Sequence, residues 1–149
     1  MKRKILTAAV RGTACILSLL LCGSYPAAAG NPADGSGTPA QTEITVNDGE
    51  MGTGLFQFEF STGWVHEGGY PARFVGGDEH WSTTATSGAA LPSLTFRFSG
   101  TKVSLYGHKV PAGGMAHVTI DGADAGVVDF YNAVRIEKTL LFESGILDN

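Results

Sequence analysis

Charged side chains are scarce in this chain. Asp, Glu, Lys and Arg make up 16% of its 149 residues, against a typical quarter. That scarcity excludes a charge-laced coiled coil. With 14 acidic against 10 basic groups, it also excludes a basic nucleic-acid binder. Cysteine is nearly absent, with Cys15 and Cys22 the only two. No stretch carries a helical apolar stripe of useful length. Glycine, by contrast, is abundant: its 21 residues are about twice the usual share, as expected of a chain with many tight turns. A hydrophobic fraction of 43% excludes a disordered tail.

The N-terminus reads as an address. Lys2-Arg3-Lys4 and Arg11 precede an apolar run from Thr13 to Cys22, and Ala27-Ala28-Ala29 supplies an A-x-A site. Together they match a secretory signal peptide cut after Ala29. The run is well short of the ~20 residues of a spanning helix. Leu21 stands before Cys22, where a lipoprotein would carry a small residue. Removal of residues 1–29 takes away four basic groups and no acidic one. Six basic and 14 acidic groups then remain, a net charge of −8 (6 − 14), and no cysteine is left for a disulfide or a metal. The expectation is a secreted chain of about 120 residues, enough to bury a core without staples. Its acidic surface disfavours nucleic acid and anionic membranes, and nothing inserts in a membrane after cleavage.

Residues 30–41, GNPADGSGTPAQ, read as a flexible linker. From Thr42 the period becomes two. Glu43–Val46 is a short strand, and Asn47-Asp48-Gly49 turns the chain. In Leu55–Phe60 the residues Phe56, Phe58 and Phe60 share one side. Ser93–Phe98 repeats the device with Leu94, Phe96 and Phe98. Strands from Val103, over Ala116–Ile120, Val127–Tyr131 and Thr139–Glu143 follow, with Asp121-Gly122 as a hairpin signal. Short alternating runs between turns predict an all-β fold, an antiparallel β-sandwich of the jelly-roll kind, over residues 42–149. Ser144–Asn149 reads as a turn into a further strand that the sequence does not include. The expectation is therefore a fragment that lacks its last strand, the alternative being a small complete protein.

Phe60 to Leu147 resembles extracellular jelly-roll modules attached to secreted carbohydrate-active enzymes. The resemblance rests on Gly63-Trp64, the run Asp78–Thr84, Gly88-Ala89, the run Phe96–Val103, Tyr106-Gly107 and Val118–Gly122. Val128–Tyr131 and Leu140–Leu147 complete it. The N-terminal sandwich of family-2-type carbohydrate esterases and accessory modules of glycoside hydrolases are similar. In those modules the final segment runs into a glycine-x-histidine-threonine strand, which is absent here. The resemblance implies a sandwich fold and an extracellular setting more firmly than it implies a ligand.

Catalysis finds little support. A glycosidase needs two carboxylates held ~5 to 10 Å apart, and no spacing singles out a pair among Asp78, Glu79, Asp129, Glu137 and Glu143. No G-x-S-x-G elbow accompanies His66, His80, His108 and His117. Catalytic residues are therefore expected to be none, and any activity would belong to a secreted hydrolase of which this chain is one part. His108 and His117 flank Pro111–Gly114 and could meet across a hairpin, yet without cysteine or an H-x-x-x-H pair zinc is not expected. Asp121, Asp124 and Asp129 admit structural calcium only weakly, since no loop pattern fits; no other cofactor is expected.

Sugars stack their C–H faces on aromatic rings and take hydrogen bonds from planar polar groups. The candidate ligand-binding residues are Trp64, Trp81, Tyr106 and Tyr131, with Asp78 and Arg73 at the rim; Tyr70 is a further ring. Each ring has a place in a core as its alternative. Three readings stay open: a non-catalytic module tethering a glycan-degrading enzyme to polysaccharide, a structural sandwich packed on a C-terminal catalytic domain without binding sugar, and a cell-surface module binding protein.

Overall fold

The computed structural model describes residues 3–11, 15–17, 20–26, 41–82 and 90–148. The expected cleavage site at Ala27–Ala29, the segment Thr83–Ala89 and the linker expected at 30–41 lie outside them, except for Gln41, which opens a strand. The described residues are all strand, turn and loop, with no helix. In chain order the strands are β1 (Lys4–Arg11), β2 (Cys15–Leu17), β3 (Leu20–Pro26), β4 (Gln41–Asn47), β5 (Phe58–Phe60) and β6 (Trp64–Gly68). They continue with β7 (Asp78–Ser82), β8 (Ser93–Phe98), β9 (Val103–Lys109), β10 (Met115–Ile120), β11 (Ala123–Asp129) and β12 (Ile136–Glu143). Three sheets result, ordered β11-β10-β1-β8-β5, β12-β9-β3-β4 and β2-β7-β6. Every strand pairing within them is antiparallel.

Alternation explains most of these strands. Leu94, Phe96 and Phe98 of β8 are at most 1% exposed, as are Ala116 and Val118 of β10, and they share one core with Phe58, Val103, Leu105, Val128 and Phe130. Burying such side chains is worth roughly 1.5–3 kcal/mol each. β8 has the bounds its alternation predicts, and β9, β10 and β12 differ at their ends. The run Leu55–Phe60 is shorter than expected. Phe56 has φ of 60° and donates its N–H to the Arg97 carbonyl, so only Phe58–Phe60 joins the ladder. The strand expected at Val127–Tyr131 is displaced: β11 starts at Ala123 and ends at Asp129, and Tyr131 bridges Val110.

The N-terminal segment forms the middle of the largest sheet. β1 pairs β10 on one side, from Leu6↔Ile120 to Arg11↔Met115, and β8 on the other, from Lys4↔Phe98 to Ala9↔Ser93. Lys-Ile-Leu-Thr-Ala-Ala-Val-Arg has period two within its basic-then-apolar character. Leu6, Ala8 and Val10 face the core at no more than 1% exposure, while Ile5 faces out.

The β9–β10 connection depends on a close approach. Val110 and Phe130 bond through N–H to O, and the Phe130 N–H reaches the Gly114 carbonyl. A Cβ at Gly113 would overlap the Phe130 carbonyl group. Gly113→Ala is therefore expected to destabilise the chain by about 1–3 kcal/mol, as overpacking does. A thermal melt of the variant checks this, and an unchanged midpoint would show that the loop can move away.

Candidate functional site

β6 and β7 carry polar residues where core strands carry apolar ones. β7 reads Asp-Glu-His-Trp-Ser, with Glu79, His80 and Ser82 buried. Period two sorts them into two faces. Asp78, His80 and Ser82 share one, and Glu79 and Trp81 the other.

On the first face His80 is locked. Its ring Nδ1 and its backbone N–H both lie 2.8 Å from Asp48 Oδ2, and Asp48 is fully buried in the turn after β4. The imidazole lies between two rings, stacked on Phe60 at 4.1 Å and on His66 at 4.5 Å. Burial pushes the Asp48 carboxyl above its ordinary range, and the bonds from His80 pull it back. His66 Nε2 reaches Asp78 Oδ2 at 3.0 Å, and the Asn47 amide donates to Asp78 Oδ1. Asn47, Val75 and Gly76 also line an open concavity of about 590 Å³ with Glu50, Phe56 and Gln57.

On the second face Glu79 meets His108 of β9, with Oε2 3.5 Å from Nε2. The distance is that of an ion pair, but no hydrogen bond spans it. Burial lifts the Glu79 carboxyl to about 7 and drops the His108 imidazole, beside the Arg135 guanidinium, to about 3. A neutral imidazole therefore stands beside a carboxyl that keeps its proton to near neutrality. Glu79 Oε2, Trp81 Nε1 and His108 Nδ1 have no hydrogen-bond partner among the described residues. Buried orphans of this kind ordinarily hold ordered water or a ligand group.

These two groups make stability depend on pH with opposite signs. Glu79 is raised from 4.5, so its contribution is complete below about 4.5 and is lost as pH rises through 7. His108 is lowered from 6.5, so its contribution is complete above about 6.5 and is lost as pH falls toward 3. Between 4.5 and 6.5 the slopes oppose. Glu79→Gln is expected to remove the alkaline loss. Relative to the wild type, it should gain on the order of 2 kcal/mol between pH 4.5 and pH 8. Urea denaturation at both pH values checks this, and an equal difference at each would refute it.

Outside the buried pair, Arg73 of the β6–β7 loop extends to β12. Its Nε donates to Glu137 Oε1 at 2.8 Å, and Arg135 Nε reaches the same oxygen at 3.0 Å. The two guanidinium groups hold the Glu137 carboxyl below its usual range. The Arg73 guanidinium also lies 5.7 Å from the ring centres of Tyr70 and Phe74. Phe74 is buried, while Tyr70 is 39% exposed. The result is an exposed phenol beside an arginine whose direction is fixed by a carboxylate and a buried ring.

The residues singled out from sequence are distributed as follows. Arg73 lies in the middle of the β6–β7 connection, and Asp78 is the first residue of β7. Trp81 shares the Glu79 face of β7, and Tyr106 the His108 face of β9, so both sit on the two faces that meet at the Glu79–His108 pair. Tyr131 is exposed beside the end of β9, bridged to Val110. Trp64 stands apart. It is half-buried against the core, its ring 5.2 Å from Phe60, and its indole N–H donates to the Ser93 carbonyl. His108 and His117 do not meet: His108 faces Glu79, and His117 of β10 pairs with Asp124 at 3.0 Å. Asp121, Asp124 and Asp129 accept backbone N–H groups of Ile5, Gly126 and Tyr131 respectively. Among the described residues no three His, Cys, Asp or Glu side chains are grouped to hold a metal ion.

Sequence reasoning did not single out Asp48, Glu137 or Arg135 as site residues. Asp48 sits in a turn motif that explains itself, and Arg135 and Glu137, which bond each other, meet His108 and Arg73 only through contacts distant in sequence. No family model, curated protein or solved structure matches the chain.

Proposed function

We propose that the chain is a secreted, non-catalytic carbohydrate-binding module that tethers a glycan-degrading enzyme to polysaccharide, on a jelly-roll-type sandwich. The observation that carries this reading is the Tyr70–Arg73 pair. Tyr70 offers an exposed face to a sugar ring, and Arg73, fixed by Glu137 and Phe74, offers directed N–H donors at its edge. Tyr131, bridged to Val110 just beyond the end of β9, is a second exposed ring. Of the carboxylates near this surface, Glu137 is held by two arginines and Glu79 is buried. Tethering raises local enzyme concentration without new chemistry.

Affinity electrophoresis in gels cast with soluble polysaccharides tests this. The wild-type chain is expected to be retarded in at least one. Tyr70→Ala or Arg73→Ala should reduce retardation about tenfold, since a stacked base or ring is worth ~1–3 kcal/mol at comparable sites, with the melting temperature kept. Migration of the wild type unaffected by every polysaccharide would overturn it.

A second reading, a sandwich that packs on a hydrolase domain without binding sugar, is favoured by one observation. β12 and its approach expose Val134, Ile136 and Leu140 at 72, 43 and 45%, an apolar strip of the kind that neighbouring domains cover.

A further inference from the structure

A lysine occupies a core position of the largest sheet. On β1 the period of two runs through Lys4, Leu6, Ala8 and Val10, and all four are buried. Lys4 is 5% exposed and sits opposite Phe98 of β8. Its Nζ is buried without a hydrogen-bond partner, and no described carboxylate forms an ion pair with it. An ammonium in that state is costly, because burial strips its water and nothing in the chain replaces it. A cavity of about 420 Å³ opens beside it, between the β10–β11 turn and the segment that follows β12, with Lys4 in its wall. We propose that this cavity binds a small zwitterion with an apolar body, an apolar α-amino acid, whose carboxylate is held by Lys4.

The lining supports that class of ligand. Ile120, Ala125, Phe142 and Leu147 line the cavity and also belong to the core or pack against it. They offer apolar contact to a side chain, in a space of the size that small molecules fill. Four carboxylates line it too, those of Asp121, Asp124, Glu143 and Asp148. Two have basic partners of their own. Glu143 Oε1 lies 2.8 Å from Lys102 Nζ, and Asp124 Oδ1 lies 3.0 Å from His117 Nε2. Asp121 and Asp148 have no basic partner among the described residues, and Asp121 Oδ1 accepts only the Ile5 N–H. A plain anion would meet Lys4 beside uncompensated carboxylates, and a plain cation would be repelled by Lys4. An α-amino acid carries both signs one carbon apart and can make charge-assisted bonds to each. Lys4 lies in the segment that a cut after Ala29 would remove, so the site is a property of the uncut chain, in which β1 completes the sheet. It does not rest on the Tyr70–Arg73 surface.

The test is equilibrium dialysis at pH 7 of the full 149-residue chain, its mass verified as uncut. The probes are radiolabelled L-valine, L-leucine, L-methionine and L-phenylalanine. At least one is expected to bind saturably, at one site per chain. The deaminated acid and the decarboxylated amine of that amino acid should each compete at least tenfold more weakly than the parent. Lys4→Met keeps the apolar stem and removes the charge. It should weaken binding at least tenfold, with the melting temperature kept or raised. The double variant Asp121→Asn and Asp148→Asn keeps the Asp121 acceptor oxygen. It should weaken the amino acid but not its deaminated acid. The proposal is overturned if none of the four amino acids binds, if the deaminated acid binds as tightly as its parent, or if Lys4→Met binds undiminished. Should Lys4→Met fail to fold, undiminished binding of the amino acid by the double variant overturns it instead.

Discussion

Asp48→Ala is expected to destabilise the chain by about 3–5 kcal/mol, since it leaves two buried donors unsatisfied at roughly 1–3 kcal/mol each. Asp48 Oδ2 is the acceptor for both the backbone N–H and the ring Nδ1 of His80, and neither group reaches solvent. Without the carboxylate, two donors lie buried and unpaired, and the imidazole loses the anchor that holds it between Phe60 and His66. The consequence should spread along β7, because His66 and His80 are directly paired across β6 and β7. Asp48→Asn keeps an acceptor oxygen and should cost about 1–2 kcal/mol. Urea denaturation of both variants at pH 7 gives the comparison. A loss below 0.5 kcal/mol for Asp48→Ala would mean that water replaces the carboxylate and the site is open.

Leu6→Asp carries the second large effect. Leu6 is fully buried opposite Ile120 on one side and Phe96 on the other. A carboxylate there has no partner in a core of aromatic and branched side chains, and the loss should be about 4 kcal/mol or more. For a domain of this size, whose whole stability is ~5–15 kcal/mol, that approaches unfolding. The conservative Leu6→Ala should lose about 2–5 kcal/mol through its cavity. Ile5→Asp, one position along on the exposed face, should lose much less. Near-equal effects at positions 5 and 6 would show that β1 does not lie in the sheet with this register.

The apolar strands were legible because alternation is a local signal. β8 matches its run of Leu94, Phe96 and Phe98, and β10 its run of Ala116, Val118 and Ile120. β6 and β7 were not legible, since Trp-Val-His-Glu-Gly and Asp-Glu-His-Trp-Ser have no apolar face. The burial of β7 depends on partners far away in sequence, Asp48 for His80 and His108 for Glu79. β1 was hidden differently. Its basic and apolar residues satisfy the pattern of an export signal, and its period of two is visible only once β8 and β10 provide two edges for it. For the site, aromatic and charge chemistry pointed to Arg73 and Tyr70 as separate side chains, which the structure places side by side. It could not tell that Trp64 packs on Phe60, nor that Glu137 aims Arg73 at Tyr70.

Carbohydrate binding at the Tyr70–Arg73 surface is tested most directly by a two-dimensional amide spectrum of the labelled full chain, titrated with soluble oligosaccharides. Saturable shifts are predicted for Tyr70–Gly77, Tyr131 and Arg135–Glu137 with at least one oligosaccharide, together with the Arg73 side-chain Nε–H. A spectrum unmoved by every sugar, or shifts confined to residues far from that surface, would contradict the account.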